Sequence, residues 1–406
     1  MSDRWTHPLY HFGFDKHVAS LTSSQQAFPY LLNEWIENPR QTVVVVAGGP
    51  GSGKTYTVTS CLDRVSVAQL RMAPTARVAQ RIGGSTIHSA LRLNWEKGSV
   101  LQRLEKTLET ETDPDACIEK SAELLTLIDC RRAPDIVAID EIGMVSFWFV
   151  HWIIQYFFQR QRPLLFVVMG DPNQLRPVKA SDNVFGIPLH FQVKRIDLFE
   201  SKRFTVDYLP IIERLRNYVD ANDEAGCFTF IRSHFPIVEQ INSDILKKCT
   251  RALVYLNSTV EVYNNFYLKH LVEGKRIRLW CRTMEGKIGP AYTDVKVGCL
   301  IFVNQNGCSS VTNGTPLRFL RYVDDKSNDY IECKHLENDN VVQVHRNGKG
   351  TFPVVVGFAG TIHKFQGDTM DDVAIAINFN GSRDLNLVYT ALSRVRSVRQ
   401  IVAIEI

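Results

Sequence analysis

The sequence contains no long hydrophobic run and no apolar leader. Its most apolar stretch, residues 147–158, is broken by His151 and Gln155, and it is shorter than the about 20 apolar residues that cross a bilayer. The first residues are polar and carry charge throughout, unlike the apolar segment of a secretory signal. We therefore expect a soluble intracellular protein without a membrane partner.

Cysteines are scattered singly along the chain. There are nine, from Cys61 to Cys333. The number is odd, and no two have the short spacing of a zinc site or of a thioredoxin-type redox site. We expect reduced, mostly buried thiols in an intracellular reducing compartment, with nucleus and cytoplasm both open.

A strong excess of charge is also absent. The 47 basic and 43 acidic residues leave a net charge of +4. So small an excess leans toward nucleic acid without indicating it, because a local basic patch matters more than the total. The length of 406 residues allows two or three domains, since single cores stop growing near roughly 250–300 residues.

Short apolar runs rich in Val and Ile are present, and such runs are typical of buried parallel strands. They lie at 42–47, 136–139, 164–169, 252–256, 373–377 and 401–406. Helical patterns separate most of them, which predicts an α/β fold with parallel sheets. The first three runs end directly at polar motifs, at the strand ends where ligand crevices form.

Two segments interrupt this alternation. Residues 93–134 are rich in charge and carry no strong strand, so they form either an inserted subdomain or a solvated pair of helices. Residues 297–351 contain strand-like stretches separated by Asn-Gly turns, which predicts a small inserted β-barrel. We therefore predict one domain over 1–200 and a second over 201–406, each with its insert.

A phosphate-binding loop follows the first apolar run. Gly48 and Gly53 frame the pattern Gly-x-x-x-x-Gly-Lys-Thr, which ends at Lys54 and Thr55. Glycines let backbone N–H groups surround phosphates, and the N-terminus of the following helix adds positive potential. Lys54 would reach the β- and γ-phosphates of ATP, and Thr55 would bind Mg²⁺. We expect the nucleotide-binding residues of the loop to be Gly48, Gly49, Pro50, Gly51, Ser52, Gly53, Lys54 and Thr55.

An acidic pair follows the second apolar run. Asp140 is placed to hold Mg²⁺, directly or through water, and Glu141 to orient and deprotonate the attacking water. Such a pair is often a solvated turn, and the phosphate loop makes the catalytic interpretation the better one. Gln174, after the third run, can sense the γ-phosphate through its amide.

Two arginines complete a predicted ATPase. Arg203 and Arg394 lie in the far half of the chain, from which they would enter the site as fingers that neutralise transition-state charge. Each arginine taken alone is better explained as a surface cation. Their assignment depends on position and on the resemblance that follows.

The motifs together resemble those of superfamily 1 helicases, and among these the PIF/RecD-like branch, superfamily 1B. The resemblance runs from about Leu21 to the C-terminus. It rests on LTSSQQAF, GGPGSGKT, APTARVA, GGSTIHSAL, IDEIGM, GDPNQLRPV, ESKRF, GTIHKFQGDT and YTALSRVR. One departure is Gly143 in IDEIGM, where relatives usually carry Ser or Ala.

This resemblance implies two RecA-like domains with ATP and Mg²⁺ between them and single-stranded DNA across both. The segment 93–134 would hold the strand-separating wedge. Gln25 would read adenine, Arg203 would come from the fourth motif, Arg394 from the sixth, and Gln366 and Gly367 from the fifth. The DNA-binding residues would be Pro74, Thr75, Thr86, His88, Thr361, His363 and Lys364.

The histidines of that set are, one by one, better explained as structural. Two Thr-Ile-His triplets, at 86–88 and 361–363, shift this balance, because equivalent loops on two related domains would grip a strand alternately. By contrast, the basic run 269–287 around Trp280 is better explained as a solvated face, and 147–158 as core.

We predict an ATP-dependent DNA helicase that moves 5′→3′ on single strands and unwinds duplex junctions, competent as a monomer. An RNA helicase of the same superfamily stays open, because 2′-hydroxyl contacts cannot be seen in the sequence. A nucleic-acid-stimulated ATPase that loads or remodels without unwinding is the other alternative.

Overall fold

The computed structural model describes residues 8–11, 13–93, 100, 103, 123, 125–160, 163–176, 193–282, 288–305, 311–324 and 328–406. The chain divides into two compact units, Met1–Phe204 and Thr205–Ile406. The division falls later than the predicted one after residue 200. The reason is that Ser201 and Lys202 hydrogen-bond to the carbonyls of Pro50 and Gly51, in the first unit.

The first unit is built on a six-stranded sheet in the order β3-β2-β4-β5-β1-β6. All its pairings are parallel, so every strand ends at the same edge. The strands are β1 Thr42–Gly48, β2 Gln69–Ala73, β3 Ser85–Thr86, β4 Ile136–Ile139, β5 Leu165–Gly170 and β6 Val193–Leu198. The predicted apolar runs are β1, β4 and β5, which form the centre of this sheet.

Helices cover both faces of the sheet. Alternate β1 side chains enter different cores: Val43 and Val45 pack on one face, and Val44 and Val46 on the other. This burial on both faces is why the strand reads as an unbroken Val run. The helices of this unit are Phe14–Ser20, Ala27–Glu37, Lys54–Leu62, Ala76–Arg81, Ile87–Ala90 and Phe147–Arg160.

The helix Phe147–Arg160 contains the most apolar stretch of the chain. Ten of its residues are buried, and Trp152 and Phe157 belong to the core of the first unit. The interpretation of this stretch as core is therefore confirmed. Among the helices of the described ranges, none combines the length and the apolarity that crossing a membrane requires.

Most of the predicted insert 93–134 lies outside the described residues. Near its two ends, Leu93 and Ile128 are buried in the same core as β1 and β4. These two residues are therefore part of the first unit's packing, and a wedge between them stays a prediction.

The second unit has its own five-stranded parallel sheet, in the order β16-β8-β17-β18-β7. Its strands are β7 Ile237–Val238, β8 Arg251–Val254, β16 Ala359–Thr361, β17 Ile375–Asn378 and β18 Ile401–Glu405. Its helices are Leu209–Asp220, Glu224–His234, Ser243–Leu246, Asn257–His270 and Leu385–Leu392. Two parallel sheets, one per unit, agree with the predicted α/β fold of two RecA-like domains.

Antiparallel strands are inserted between β8 and β16. They are the hairpin β9 Ile277–Arg282 and β10 Ile288–Val295, and the sheet formed by β11 Leu300–Val303, β12 Pro316–Val323, β13 Tyr330–His335, β14 Val341–His345 and β15 Val354–Val356. Leu279 and Val295 of the hairpin share one core with Ile301 and Phe319 of the sheet. The insert is therefore wider than the predicted 297–351, because the hairpin needs this core to bury its inner face.

Candidate nucleotide site

The motifs of the first unit meet at one edge of its sheet. The phosphate loop follows β1, the acidic pair follows β4, Asp171 follows β5, and Arg203 lies just after β6. Because all six strands are parallel, their carboxyl ends form a single edge, and motifs more than 150 residues apart in sequence come together there.

The phosphate loop has the backbone of a phosphate cradle. Gly51 and Gly53 have φ angles of 77° and 81°, in the left-handed region that favours glycine. The helix Lys54–Leu62 begins directly after them. Lys54 Nζ donates hydrogen bonds to the carbonyls of Gly48 and Gly49, at 2.7 and 3.0 Å, so its ammonium lies over the loop.

The acids around Lys54 set its electrostatics. Burial lowers the pKa of Lys54, while the carboxylates of Asp171, Glu141 and Asp140 act in the opposite direction. Burial is the larger influence, so the pKa of Lys54 lies below its ordinary value.

Thr55 and the acidic pair are directly connected. Thr55 Oγ1 donates to Asp140 Oδ2 at 2.7 Å, and the Glu141 N–H donates to Asp140 Oδ1 at 2.8 Å. Asp140 is 1% exposed, and burial, reinforced by the Glu141 carboxylate, raises its pKa. Glu141 has a φ of 50°, a left-handed conformation that a non-glycine residue adopts where its surroundings impose it.

Gln174 is held by an acid that the sequence reasoning did not select. Its Nε2 donates to Asp171 Oδ2 at 3.1 Å, and Asp171 Oδ1 accepts from the N–H of Asn173 at 3.0 Å. All three side chains are buried. Asp171 thus orients Gln174 and is also the largest carboxylate influence on Lys54. The sequence signal that could have selected Asp171 is its position inside the motif GDPNQL.

Gln25 lies against the loop. Its Nε2 donates to the Ser52 carbonyl at 2.9 Å, and its Oε1 accepts from the Thr22 N–H at 3.1 Å. The side chain is 4% exposed. The amide of Gln25 is bound to backbone groups of Ser52 and Thr22. Its reading of adenine stays a prediction.

Arg203 belongs to the first unit, which corrects its expected origin in the second. A Cβ on Gly51 would collide with Arg203 Cβ, so the arginine backbone packs on the loop. The pKa of Lys54 is lowered first by burial and, to a smaller extent, by the charge of Arg203. Lys54 follows β1 and Arg203 follows β6. Because these two strands are paired, both residues lie at the same edge of the first unit's sheet.

Arg394 is at the end of the helix Leu385–Leu392 in the second unit. Its guanidinium donates to the carbonyls of Thr390 and Asp368 at 2.9 and 3.1 Å, and to Ser393 Oγ at 2.9 Å. It is 1% exposed. Asp368 directly follows Gly367 in the fifth motif, so its hydrogen bond with Arg394 joins the fifth and sixth motifs. Gly367 has a φ of 83°.

The predicted strand-binding residues of the first unit follow β2 and β3. Thr75 Oγ1 accepts from the Val78 N–H at 3.4 Å, and Thr86 Oγ1 accepts from the Ser89 N–H at 3.2 Å. Both threonines thus cap short helices. His88 packs edge-on to Phe149, with ring centres 5.9 Å apart, and burial lowers its pKa. Pro74 precedes Thr75 at the same strand end.

The second unit repeats this arrangement after β16. Thr361 ends the strand, and its Oγ1 accepts from the Lys364 N–H at 3.2 Å. Burial lowers the pKa of His363 despite the nearby Asp384, and its ring centre is 6.2 Å from that of Tyr255. In each unit, then, a Thr-Ile-His triplet lies at the end of a parallel strand. Its threonine hydroxyl accepts from the N–H three residues on, and burial lowers the pKa of its histidine.

Comparison with known proteins agrees with this geometry. A protein-family model described as an AAA domain matches residues 34–180. The ATP-dependent DNA helicase Pif1 of Bdellovibrio bacteriovorus is 23% identical over 399 residues, which are 88% of this chain and 82% of that protein. The RecD subunit of the RecBCD enzyme of Mycobacterium tuberculosis is 24% identical over 401 residues, 90% of this chain and 67% of RecD.

Solved structures show the same fold. Pif1 helicase from Candida albicans superposes with a TM-score of 0.63 at 18% identity, covering 95% of this chain and 94% of that one. Bacteroides Pif1 bound to single-stranded DNA gives a TM-score of 0.63 at 19% identity, covering 94% and 92%. The chain is therefore similar over most of its length to Pif1 and RecD helicases, and it has the fold of the Pif1 structures.

The left-handed glycines of the phosphate loop give a first prediction. In Gly51→Ala, the alanine must adopt a φ of 77°, and its Cβ collides with Arg203. Backbone strain of this kind costs about 1–3 kcal/mol. We expect kcat/KM for ATP to fall about tenfold or more, measured by steady-state hydrolysis.

Gly143→Ala is the matched control, because a Cβ there would meet nothing closer than the Asp171 carbonyl at 3.5 Å. It should stay close to the unmodified chain. Equal losses in both variants would show that the loss does not come from the strained backbone at Gly51.

Proposed function

We propose that the protein is an ATP-dependent DNA helicase that translocates 5′→3′ on single-stranded DNA and unwinds duplex DNA ahead of it. The observation that carries this proposal is the single edge of the first unit's sheet. There the phosphate loop, the acidic pair and the capped Thr-Ile-His triplet follow strands of one parallel sheet. In this proposal, the residues for nucleotide chemistry and those for strand contact follow strands of the same sheet.

For hydrolysis, we propose one role for each of these side chains. Lys54 exchanges its contacts with the Gly48 and Gly49 carbonyls for the β- and γ-phosphates. Glu141 orients the attacking water and accepts its proton, and Gln174 contacts the γ-phosphate or that water. By resemblance to superfamily 1 helicases, Arg203 and Arg394 would neutralise the charge that develops on the phosphates, and Gln366 and Gly367 would bind nucleotide.

The residues beside the loop also fit Mg²⁺. The hydroxyl of Thr55 and the carboxylate of Asp140 lie 2.7 Å apart, and both are the hard oxygen ligands that this ion prefers. Thr55 and Asp140 would hold the ion, which neutralises phosphate charge when it is bound. Across the described ranges, no cluster of three or more His, Cys, Asp or Glu side chains is placed to hold a metal.

The proposed DNA track combines hydroxyls, imidazoles and one lysine. It consists of Pro74, Thr75, Thr86, His88, Thr361, His363 and Lys364. Such groups contact a sugar-phosphate backbone without reading bases, which suits a motor that moves over any sequence. Relatives support DNA as the polymer, because Bacteroides Pif1 has been solved with single-stranded DNA and Pif1 helicases have been studied at forked duplex DNA.

Strand-displacement assays test this proposal directly. We expect unwinding of 5′-tailed DNA duplexes, little unwinding of 3′-tailed ones, and stronger stimulation of ATP hydrolysis by poly-dT than by poly-U. Preference for poly-U and RNA duplexes would make the protein an RNA helicase, while stimulated hydrolysis without strand separation would make it a loader or remodeller. A wedge within 93–134, competence as a monomer and an intracellular reducing location stay predictions.

A further inference from the structure

Three neighbouring carbonyls of the phosphate loop are held from outside the loop. The carbonyl oxygens of residues 50–52 each accept one hydrogen bond. Ser201 Oγ donates to the first at 2.8 Å and the Lys202 N–H to the second at 3.0 Å. Gln25 Nε2 donates to the third at 2.9 Å. Two segments distant in sequence therefore grip successive peptide groups of one loop.

The two segments are also bound to each other. The Glu200 carboxylate accepts from Ser23 Oγ at 3.0 Å, from the Ser24 N–H at 3.4 Å and from the Ser24 hydroxyl. These hydrogen bonds, that of the Ser24 hydroxyl first, lower the pKa of Glu200 to about 2. Glu200 precedes Ser201, and Ser24 precedes Gln25, so the contacts close a ring around the loop.

The fit around the loop is close. A Cβ on Gly51 would lie 2.6 Å from Ser201 Oγ. A Cβ on Gly53 would collide with Gln25 Nε2. The loop glycines thus provide left-handed backbone and also allow both segments to approach.

We propose that Gln25, Glu200, Ser201 and Lys202 form a phosphate-loop clamp that positions the loop for ATP hydrolysis. A peptide group is planar and trans, so fixing the carbonyls of 50–52 also fixes the N–H groups of 51–53. Donors that are already oriented cost no reorganisation when phosphate binds or when charge develops on it. The clamp rests on the proposed ATPase and adds positioning residues to it.

The clamp makes a prediction that adenine reading does not. Both amide atoms of Gln25 are bound to backbone, Nε2 to Ser52 and Oε1 to Thr22. A clamp acts on the phosphates, which every nucleoside triphosphate shares. Recognition of the base would affect ATP alone.

The experiment compares ATP and GTP hydrolysis, with poly-dT present, in Gln25→Ala, Ser201→Ala and the unmodified protein. Losing one hydrogen bond of this kind is expected to lower kcat/KM roughly 3- to 10-fold, and by the same factor for ATP and GTP. Ser201→Thr keeps the hydroxyl and should recover most of the loss. Glu200→Ala should also lower kcat/KM for both nucleotides.

Glu34→Ala is the matched control for Glu200→Ala. Glu34 is a carboxylate of the same unit, bound to Lys194 and Arg40, and it makes no contact with the loop among the described hydrogen bonds. Its removal should leave both kcat/KM values unchanged.

A loss in Gln25→Ala that is confined to ATP would overturn the clamp, and so would unchanged kinetics in Ser201→Ala. If Gln25→Ala does not fold, Gln25→Glu takes its place, because it replaces only the atom that donates to Ser52. This variant must lower the hydrolysis of ATP and of GTP by the same factor. Failure of the proposed function is distinguishable, because the unmodified protein would then hydrolyse neither nucleotide.

Discussion

Replacing Lys54 with alanine is expected to abolish the DNA-stimulated hydrolysis of ATP. The ammonium is the cation that lies over the loop, 2.7 Å from the Gly48 carbonyl, and Asp171, Glu141 and Asp140 surround it. Without it, those carboxylates face the triphosphate with no intervening lysine charge. Hydrolysis in the presence of poly-dT should fall to the level of a protein-free blank.

Lys194→Ala is the control for this variant. Lys194 is a lysine of the same unit whose Nζ pairs with Glu34, and it makes no contact with the loop among the described hydrogen bonds. It should retain most of the turnover. Substantial hydrolysis by Lys54→Ala would reject the nucleotide site as described.

Arg394→Ala is expected to bind nucleotide nearly normally and to hydrolyse it very slowly. An arginine that neutralises transition-state charge acts on the chemical step, and where measured its contribution is about 10³–10⁵-fold in turnover. We therefore expect kcat to fall by about 10³ or more with little change in nucleotide affinity. Equilibrium binding of a fluorescent ADP analogue and single-turnover hydrolysis measure the two separately.

The buried guanidinium complicates this variant, because it also supports the second unit. It donates to the carbonyls of Thr390 and Asp368, so thermal unfolding must accompany the kinetics. Arg396→Ala is the control: Arg396 is half-exposed and pairs with Asp371, and its loss should change little. If Arg394→Ala instead lost nucleotide affinity while turnover per bound ATP held, the role in hydrolysis would be wrong.

The central strands could be predicted from the sequence because their burial is local and two-sided. A run such as 42–47 has no polar face, and only a strand covered by helices on both sides explains it. The phosphate loop was equally readable, since its glycines and Lys-Thr pair lie within eight residues. Both signals need no knowledge of what lies elsewhere in the chain.

Edge strands gave no such signal. β6 carries Val193, Lys194 and Arg195, which are exposed or half-buried, and its alternation is too weak to predict a strand. β3 and β7 have two residues each, so no period can be read from them. Because the sequence does not reveal β6, the predicted domain boundary after residue 200 places Arg203 in the second unit, whereas it belongs to the first.

The sequence by itself determined which residues we propose for the chemistry: a Gly-rich loop, an acidic pair, and two Thr-Ile-His triplets. Only the tertiary structure decided which segments hold that chemistry in place. Ser24 meets Glu200 across 176 positions of sequence, and Ser201 meets Pro50 across 151. The physical reason is the strand order β3-β2-β4-β5-β1-β6, which places the end of β6 beside the phosphate loop although no local pattern encodes that neighbour.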